Sequence, residues 1–312
     1  MPSRFAVRSR RGAYAALAFL TLIWGGNWVV MKLALQSASP VILNVQRTWI
    51  ATLVLFAVLL WQRRPLLPAS WVAVIVTGIF QTTINFGSTT MALAGGGAGR
   101  TSVLVFTMPF WTLLIAWPVL HERVKGLQWL AIGCALAGML LVVEPWHWQG
   151  GIAPKLWAIL SGFGWAAGTV ATKYFQRGRH LDALNFIAWQ MLVGVLPLSV
   201  LPLLLDLPAT RWSVGYVALL LQIGAVSTAL GFLLWMAVLR WLPAGTASLN
   251  MFAIPVIALL TSMAMFGEQL TGNEWSGIAC IGAGLAVISI DAWQSSRRGV
   301  STVTVPTPLE GG

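Results

Sequence analysis

Residues 101–143 align without a gap to residues 247–289, so one pattern is written twice in this chain. Ser102, Phe106, Pro109, Glu122, Gly126, Trp129, Ile132, Cys134, Ala137 and Gly138 recur 146 positions on as Ser248, Phe252, Pro255, Glu268, Gly272, Trp275, Ile278, Cys280, Ala283 and Gly284. Upstream, Trp24, Lys32 and Asn44 recur 141 positions on as Trp165, Lys173 and Asn185. The loops do not follow. Arg123 and Lys125 map onto Gln269 and Thr271, whereas Gln36 and Ala38 map onto Arg177 and Arg179. Equivalent loops that exchange basic for neutral residues fit two copies lying in a membrane with opposite orientations, because cytoplasmic loops carry the excess of Lys and Arg. An inverted repeat of this kind places a substrate site near the midplane, between the halves.

The composition demands a membrane. The chain is 58% hydrophobic and 9% charged, with a mean hydropathy of +0.80, outside the range of soluble domains. Its net charge of +11 would suit nucleic acid, but the basic residues are scattered over short loops and tails. The partner they indicate is the lipid bilayer. Runs of about 20 apolar residues, the length that crosses a hydrocarbon core, fall at roughly 13–35, 41–61, 71–93, 99–120, 126–144, 154–175, 183–204, 213–239, 245–267 and 273–293. The expected fold is therefore an all-α integral membrane protein with ten transmembrane helices, built as two inverted five-helix repeats over 13–144 and 154–293. A basic tail (1–12) precedes them and a polar, disordered tail (294–312) follows. The start reads as a juxtamembrane tail, not a cleaved signal peptide, because the apolar stretch after it is too long. With the N-terminus inside, fourteen Lys and Arg fall on the cytoplasmic side and five, among them Lys32 and Arg47, on the other. Both termini are then cytoplasmic, in an inner membrane.

Leu22-Ile23-Trp24-Gly25-Gly26-Asn27 with Lys32, then Arg47 early in the second span, resembles the start of an EamA domain of the drug/metabolite transporter (DMT) superfamily. Pro109 followed thirteen residues on by Glu122, repeated as Pro255 and Phe266-Gly267-Glu268, is similar to that family's paired motif. The resemblance covers about residues 13–293. Within the superfamily, the Trp-rich core most resembles the YddG-type exporters of aromatic amino acids and methyl viologen. It implies a transporter without a cofactor. Arg47 has no basic counterpart, since the aligned residue is Ala188.

Polar side chains at mid-span depth are the candidate substrate ligands, because an unsatisfied amide or hydroxyl in lipid costs several kcal/mol. Trp24 and Asn27 come from span one, and Gln81, Asn85, Ser88 and Thr89 share one face of span three by their helical spacing. Trp111, Trp165, Thr169, Trp235 and Asn250 complete the set. Each could instead bond helix to helix. As a set, neutral donors and acceptors beside indole faces suit a zwitterion with an apolar side chain, or a planar cation such as methyl viologen held over π faces. Pro109 and Pro255, at the middle of spans four and nine, are read as kinks that serve either as static bends or as a symmetric pair of hinges. Glu122 and Glu268 lie about 20 Å further along those helices, near opposite surfaces, where they cap or gate. Gly133, Gly138, Gly282 and Gly284 permit close packing of spans five and ten, within a monomer or a weak homodimer.

Equally telling, no Asp or Glu falls at mid-span depth and every His lies in or near a loop. An intramembrane hydrolase needs a nucleophile and base within reach, so an enzyme is not expected, nor is any metal site. Proton-coupled carriers usually hold a carboxylate or His within the bundle. The expected activity is export of amino acids and related small metabolites by alternating access, without proton coupling. A proton-coupled multidrug or organic-cation antiporter is the alternative.

Overall fold

A computed structural model describes residues 9–95, 98–124, 126–143, 151–177, 181–266 and 271–297, and every regular element among them is helical. In the first half, α1 (Arg10–Ala34) begins after Ser9, whose hydroxyl accepts from the Gly12 N–H, and α2 (Pro40–Trp61) begins after Ser39 with Pro40 in its first turn. Serine caps and first-turn proline are the expected punctuation, since these positions leave backbone donors without intrahelical partners. Next come α3 (Trp71–Thr77), a π-helical segment (Gly78–Ile84) and α4 (Asn85–Gly95) in unbroken succession. α5 (Ala98–Val105), α6 (Met108–Leu120) and α7 (Leu127–Val143) complete this half. The second half repeats the scheme. α8 (Ala153–Gln176) and α9 (Ala183–Leu204) lead into α10 (Val214–Leu221), a second π segment (Gln222–Leu230) and α11 (Gly231–Trp241). α12 (Ala244–Asn250), α13 (Ala253–Phe266) and α14 (Gly272–Arg297) close it.

Seven helical stretches are long and apolar enough to cross a membrane, and α7 and α14 add shorter apolar runs. The expected ten spans are thus not all met by length and hydropathy. The physical reason is clearest in α8: it runs for 24 residues, but Lys155, Lys173 and three glycines lower its hydropathy.

Those glycines are packing sites. A Cβ on Gly164 would stand 2.9 Å from the Phe80 carbonyl oxygen, and one on Gly168 would overlap Gln81 Cβ, so α8 lies directly against the first π segment. The halves interleave throughout. α1 packs on α13 and, equivalently, α8 packs on α6. α2 meets the second π segment, α9 meets the first, and α2 also packs on α9.

Proline acts differently from the simple mid-span kink expected. The fourth stretch is interrupted at Phe106–Thr107, between α5 and α6, and the ninth at Met251–Phe252, between α12 and α13. Pro109 and Pro255 sit in the first turns of the helices that restart, where a missing N–H is tolerated. Duplicated prolines thus mark duplicated helix breaks.

α7 packs along α14. A Cβ on Gly138 would stand 2.6 Å from the Gly277 carbonyl oxygen, and one on its counterpart Gly284 would stand 3.0 Å from that of Ala131. Gly133 and Gly282 have open space instead. The small faces that end the two halves therefore meet each other within one chain. Gly138→Val should force the pair apart and cost about 1–3 kcal/mol, the usual penalty for overpacking. Gly133→Val should leave stability nearly unchanged. Thermal unfolding of both variants in the same detergent checks this, and equal midpoints would refute it.

Candidate functional site

Between the halves lies a cavity of about 110 Å³. The first half supplies Trp24, Asn27 and Trp28 from α1, Arg47 from α2, and Asn85 and Phe86 from α4. The second supplies Trp165 from α8, Ser227 and Thr228 from the π segment, and Phe232 from α11. Both helix breaks reach it as well, through Phe106 and Met108 on one side and Met251 and Ile254 on the other.

Its walls are aromatic. The Trp24 ring lies 5.2 Å from Trp165 and 6.2 Å from Trp235, and Trp165 lies 5.5 Å from Phe232. The Trp24 indole N–H donates to the Ser227 carbonyl oxygen at 2.7 Å. The π segment accounts for this bond, because its wider turns shift the regular α ladder and leave a carbonyl for an outside donor. Phe86 and Phe232 stand 146 positions apart in sequence and face each other edge to face at 5.9 Å.

Of the side chains expected at the site, Trp24, Asn27, Asn85, Thr89 and Trp165 line this cavity. Asn85 is also tied to α8, where its amide donates to the Ser161 carbonyl and hydroxyl oxygens at 3.0 and 2.9 Å. Gln81, Ser88, Trp111, Thr169, Trp235 and Asn250 lie outside the lining. Gln190 donates to Gln81, and Gln81 donates to Thr169, each at 3.2 Å, in a buried relay joining the first π segment to α8 and α9. Gln81 and Asn85 both turn toward α8, where Gln81 bonds Thr169 and Asn85 bonds Ser161, and of the two only Asn85 lines the cavity. Asn250 donates to the Thr246 carbonyl oxygen one turn back. Trp111 packs edge-on against Phe163, and Trp235 is fully buried behind Trp24 and Trp165. Ser88 is buried. Pro109 and Pro255 mark the breaks, while Glu268 lies outside the described residues.

Arg47 is the main correction. Its position near the start of the second span suggests a surface residue, yet its side chain is buried, lines the cavity, and places its guanidinium carbon 3.9 Å from the Phe86 ring centroid. The interior therefore holds a formal charge that was not expected there. A visible signal existed: Arg47 is seven residues past Pro40, about 10 Å into the helix, and too deep for a loop cation. Phe86 and Phe232 were also legible as a duplicated pair. Phe106 carries the same mark through Phe252, whereas Met31 and Met251 carry none, since apolar residues are the background of every span.

Glu122 occupies a second cluster, at the end of the molecule where Lys173, Arg177 and Arg240 gather. Glu122 accepts from the Gly245 N–H at 3.4 Å and approaches Arg177 at 3.6 Å. Arg177 also donates to the Leu120 carbonyl oxygen at 2.8 Å. Lys173 donates to the Leu239 and Leu242 carbonyl oxygens, Arg240 to that of Leu181, and Arg64 pairs with Asp182. Burial pushes the Glu122 carboxyl above its ordinary value, while Lys173, the Gly245 and Ala244 N–H groups and Arg177 pull it down by less. Five helices, α2, α6, α8, α9 and α11, with the turn into α12, are bound together at this end.

Residues 11–144 and 153–290 each match the EamA-like transporter family. The chain is similar to the uncharacterized transporter YoaV of Bacillus subtilis, at 28% identity over 90% of this chain and 97% of the relative. It is 27% identical to a protein of Salmonella typhimurium named a probable amino-acid metabolite efflux pump, over 89% and 95%. It is 24% identical to the uncharacterized inner membrane transporter YedA of Escherichia coli, over 89% and 90%. A solved crystal structure superposes with a TM-score of 0.77 over 92% of this chain and 99% of the other at 18% identity, which shows a shared fold. Two family matches, seven long apolar helices and a cavity walled by both halves lead to one conclusion: the chain is a multi-pass membrane transporter that belongs to the EamA-like family.

Proposed function

We propose that this protein exports neutral amino acids, aromatic ones included, and related small metabolites across the bacterial inner membrane. The carrying observation is the cavity: both halves wall it with Trp and Phe, its formal charge is the positive one of Arg47, and no carboxylate is among its lining residues. A cation such as methyl viologen would meet repulsion there. The similarity to an amino-acid metabolite efflux pump and to an inner membrane transporter supports the same reading.

The chain works as ten spans in two inverted halves with both termini cytoplasmic, as the exchange of loop charges implies. The paired contacts, α1 on α13 and α8 on α6, support that arrangement. Breaks at 106–107 and 251–252 border the cavity and serve as hinges, with Pro109 and Pro255 keeping each pair of half-helices from fusing. At about 110 Å³ the cavity is smaller than the roughly 300 Å³ usual for ligand sites, so the hinges must open it to admit an amino acid. The Glu122 cluster is the cytoplasmic gate, closed in this conformation.

Arginine keeps its proton at all physiological pH values, so the cavity contains no group that a proton gradient could work through. A zwitterion moves no net charge, whereas each unit of charge on a cation would feel about 2.3 kcal/mol per 100 mV. Proteoliposomes preloaded with leucine, methionine or phenylalanine, without a pH gradient, should show saturable counterflow insensitive to an imposed potential. Counterflow of methyl viologen alone, or amino-acid accumulation above equilibrium only under a pH gradient, would overturn the proposal.

Gate closure should also depend on pH through Glu122. The closed state holds this carboxyl above the value it takes when water reaches it, so the closed state binds the proton more tightly. Its advantage is full below the ordinary carboxylate range and is lost as pH rises through the raised value. With Cys134 and Cys280 replaced, a cysteine introduced at Ala244, buried beside Glu122, should label faster as pH rises. Glu122→Gln should remove that rise once the thiol's own titration is divided out. Parallel pH profiles in the two backgrounds would exclude Glu122 as the sensor.

A further inference from the structure

The cavity holds three buried polar atoms without a hydrogen-bond partner among the described residues. Two are donors, Arg47 Nε and Trp165 Nε1, and one is an acceptor, Asn27 Oδ1. Arg47 is 6% exposed and Asn27 8%. Nη1 of Arg47 makes a long contact with Met31 Sδ at 3.6 Å and the guanidinium lies over Phe86. Among the described residues no carboxylate pairs with it. Thioether and ring faces are weak substitutes for an anion, and a buried guanidinium without its counter-ion is among the costliest groups a membrane interior can hold. Such a charge is retained when a ligand completes it.

We propose that Arg47 and Asn27 together recognise the two charged groups of an α-amino acid: the Arg47 guanidinium, with the Trp165 indole N–H, binds the carboxylate, and the Asn27 carboxamide oxygen accepts from the ammonium. The assignment rests on the amino-acid export proposed above and names the chemistry that selects the substrate. Guanidinium and carboxylate match as a two-pronged pair. One cation beside one acceptor suits a zwitterion better than a dianion, which would need a second positive charge, or an amine, which would be repelled. Phe86, Phe232 and Trp24 then receive the apolar side chain. Since the repeat equivalent of Arg47 is Ala188, the cavity holds one carboxylate locus instead of a symmetric pair.

The test uses the full-length protein in proteoliposomes, with labelled phenylalanine counterflow competed by phenylalanine, phenylalaninamide, phenethylamine and 3-phenylpropanoate. In the wild type the three analogues should compete at least about tenfold more weakly than phenylalanine, because a site built to bond a polar group rejects ligands that lack it. Arg47→Met should bring phenylalanine and its amide to nearly equal potency, and Arg47→Lys should keep part of the preference. Asn27→Leu should narrow the gap between phenylalanine and 3-phenylpropanoate. The analogue series in the wild type decides the matter even if a substituted protein fails to fold. Equal competition by acid and amide in the wild type would overturn the carboxylate assignment while leaving amino-acid export intact. Exchange of phenethylamine or methyl viologen with no exchange of any amino acid would overturn the export reading itself.

Discussion

Close approach of backbones across the two halves is the constraint on which the rest of this structure depends. Lipid tails are as apolar as leucine, so helices gain little from hiding apolar surface and must associate through tight packing and interior hydrogen bonds. The chain meets that requirement with small residues at the crossings. Gly164 and Gly168, one turn apart on α8, seat the first π segment, and Gly194 on α9 accommodates Thr82 from the other side. Gly138 and Gly284 let α7 and α14 touch. The Gln190–Gln81–Thr169 relay then fastens the α8, α9 and π-segment junction with polar bonds. Neither half presents a complete core alone, because the first helix of each packs on the fourth stretch of the other.

That interleaving also explains why the cavity is built from irregular backbone. Helix breaks and π turns are tolerated at membrane depth only where protein or a cavity surrounds them. Here the two breaks and the second π segment border one space, and the loose carbonyl of Ser227 holds the Trp24 ring in place. The irregular positions are therefore those whose rearrangement would change the shape of the interior, while the regular crossings around them stay packed.

Much of this was legible in the sequence. The duplication and the apolar runs fix a helical membrane fold, and Trp24, Asn27, Asn85 and Trp165 stand out as polar or aromatic groups too deep to be interfacial. Spacing along one helix shows which residues share a face but not what that face meets: Gln81 and Asn85 both turn to α8, and of the two only Asn85 lines the cavity. α8 was legible as the apolar run at 154–175, even though the glycines that let it pack lower its hydropathy. Arg47 was misplaced because charge counting sorts every cation to one side of the membrane or the other, with no category for a buried one. Its depth in α2 carried the missing information.

The Arg47–Ala188 difference has a consequence for direction. The halves repeat one scheme of helices and breaks, but the interior they share is chemically lopsided, with its charge carried by the first half. In the exporter proposed above, a solute held through that charge keeps the same end against the first half whichever side of the membrane is open, and so meets different surroundings on its way in and on its way out. Apparent affinities measured from the two faces can therefore differ widely. Detailed balance then requires the ratio of half-saturation concentrations to equal the ratio of maximal rates in the two directions, since an asymmetric site can change how fast each half-cycle runs but cannot move the concentrations at which the flow stops.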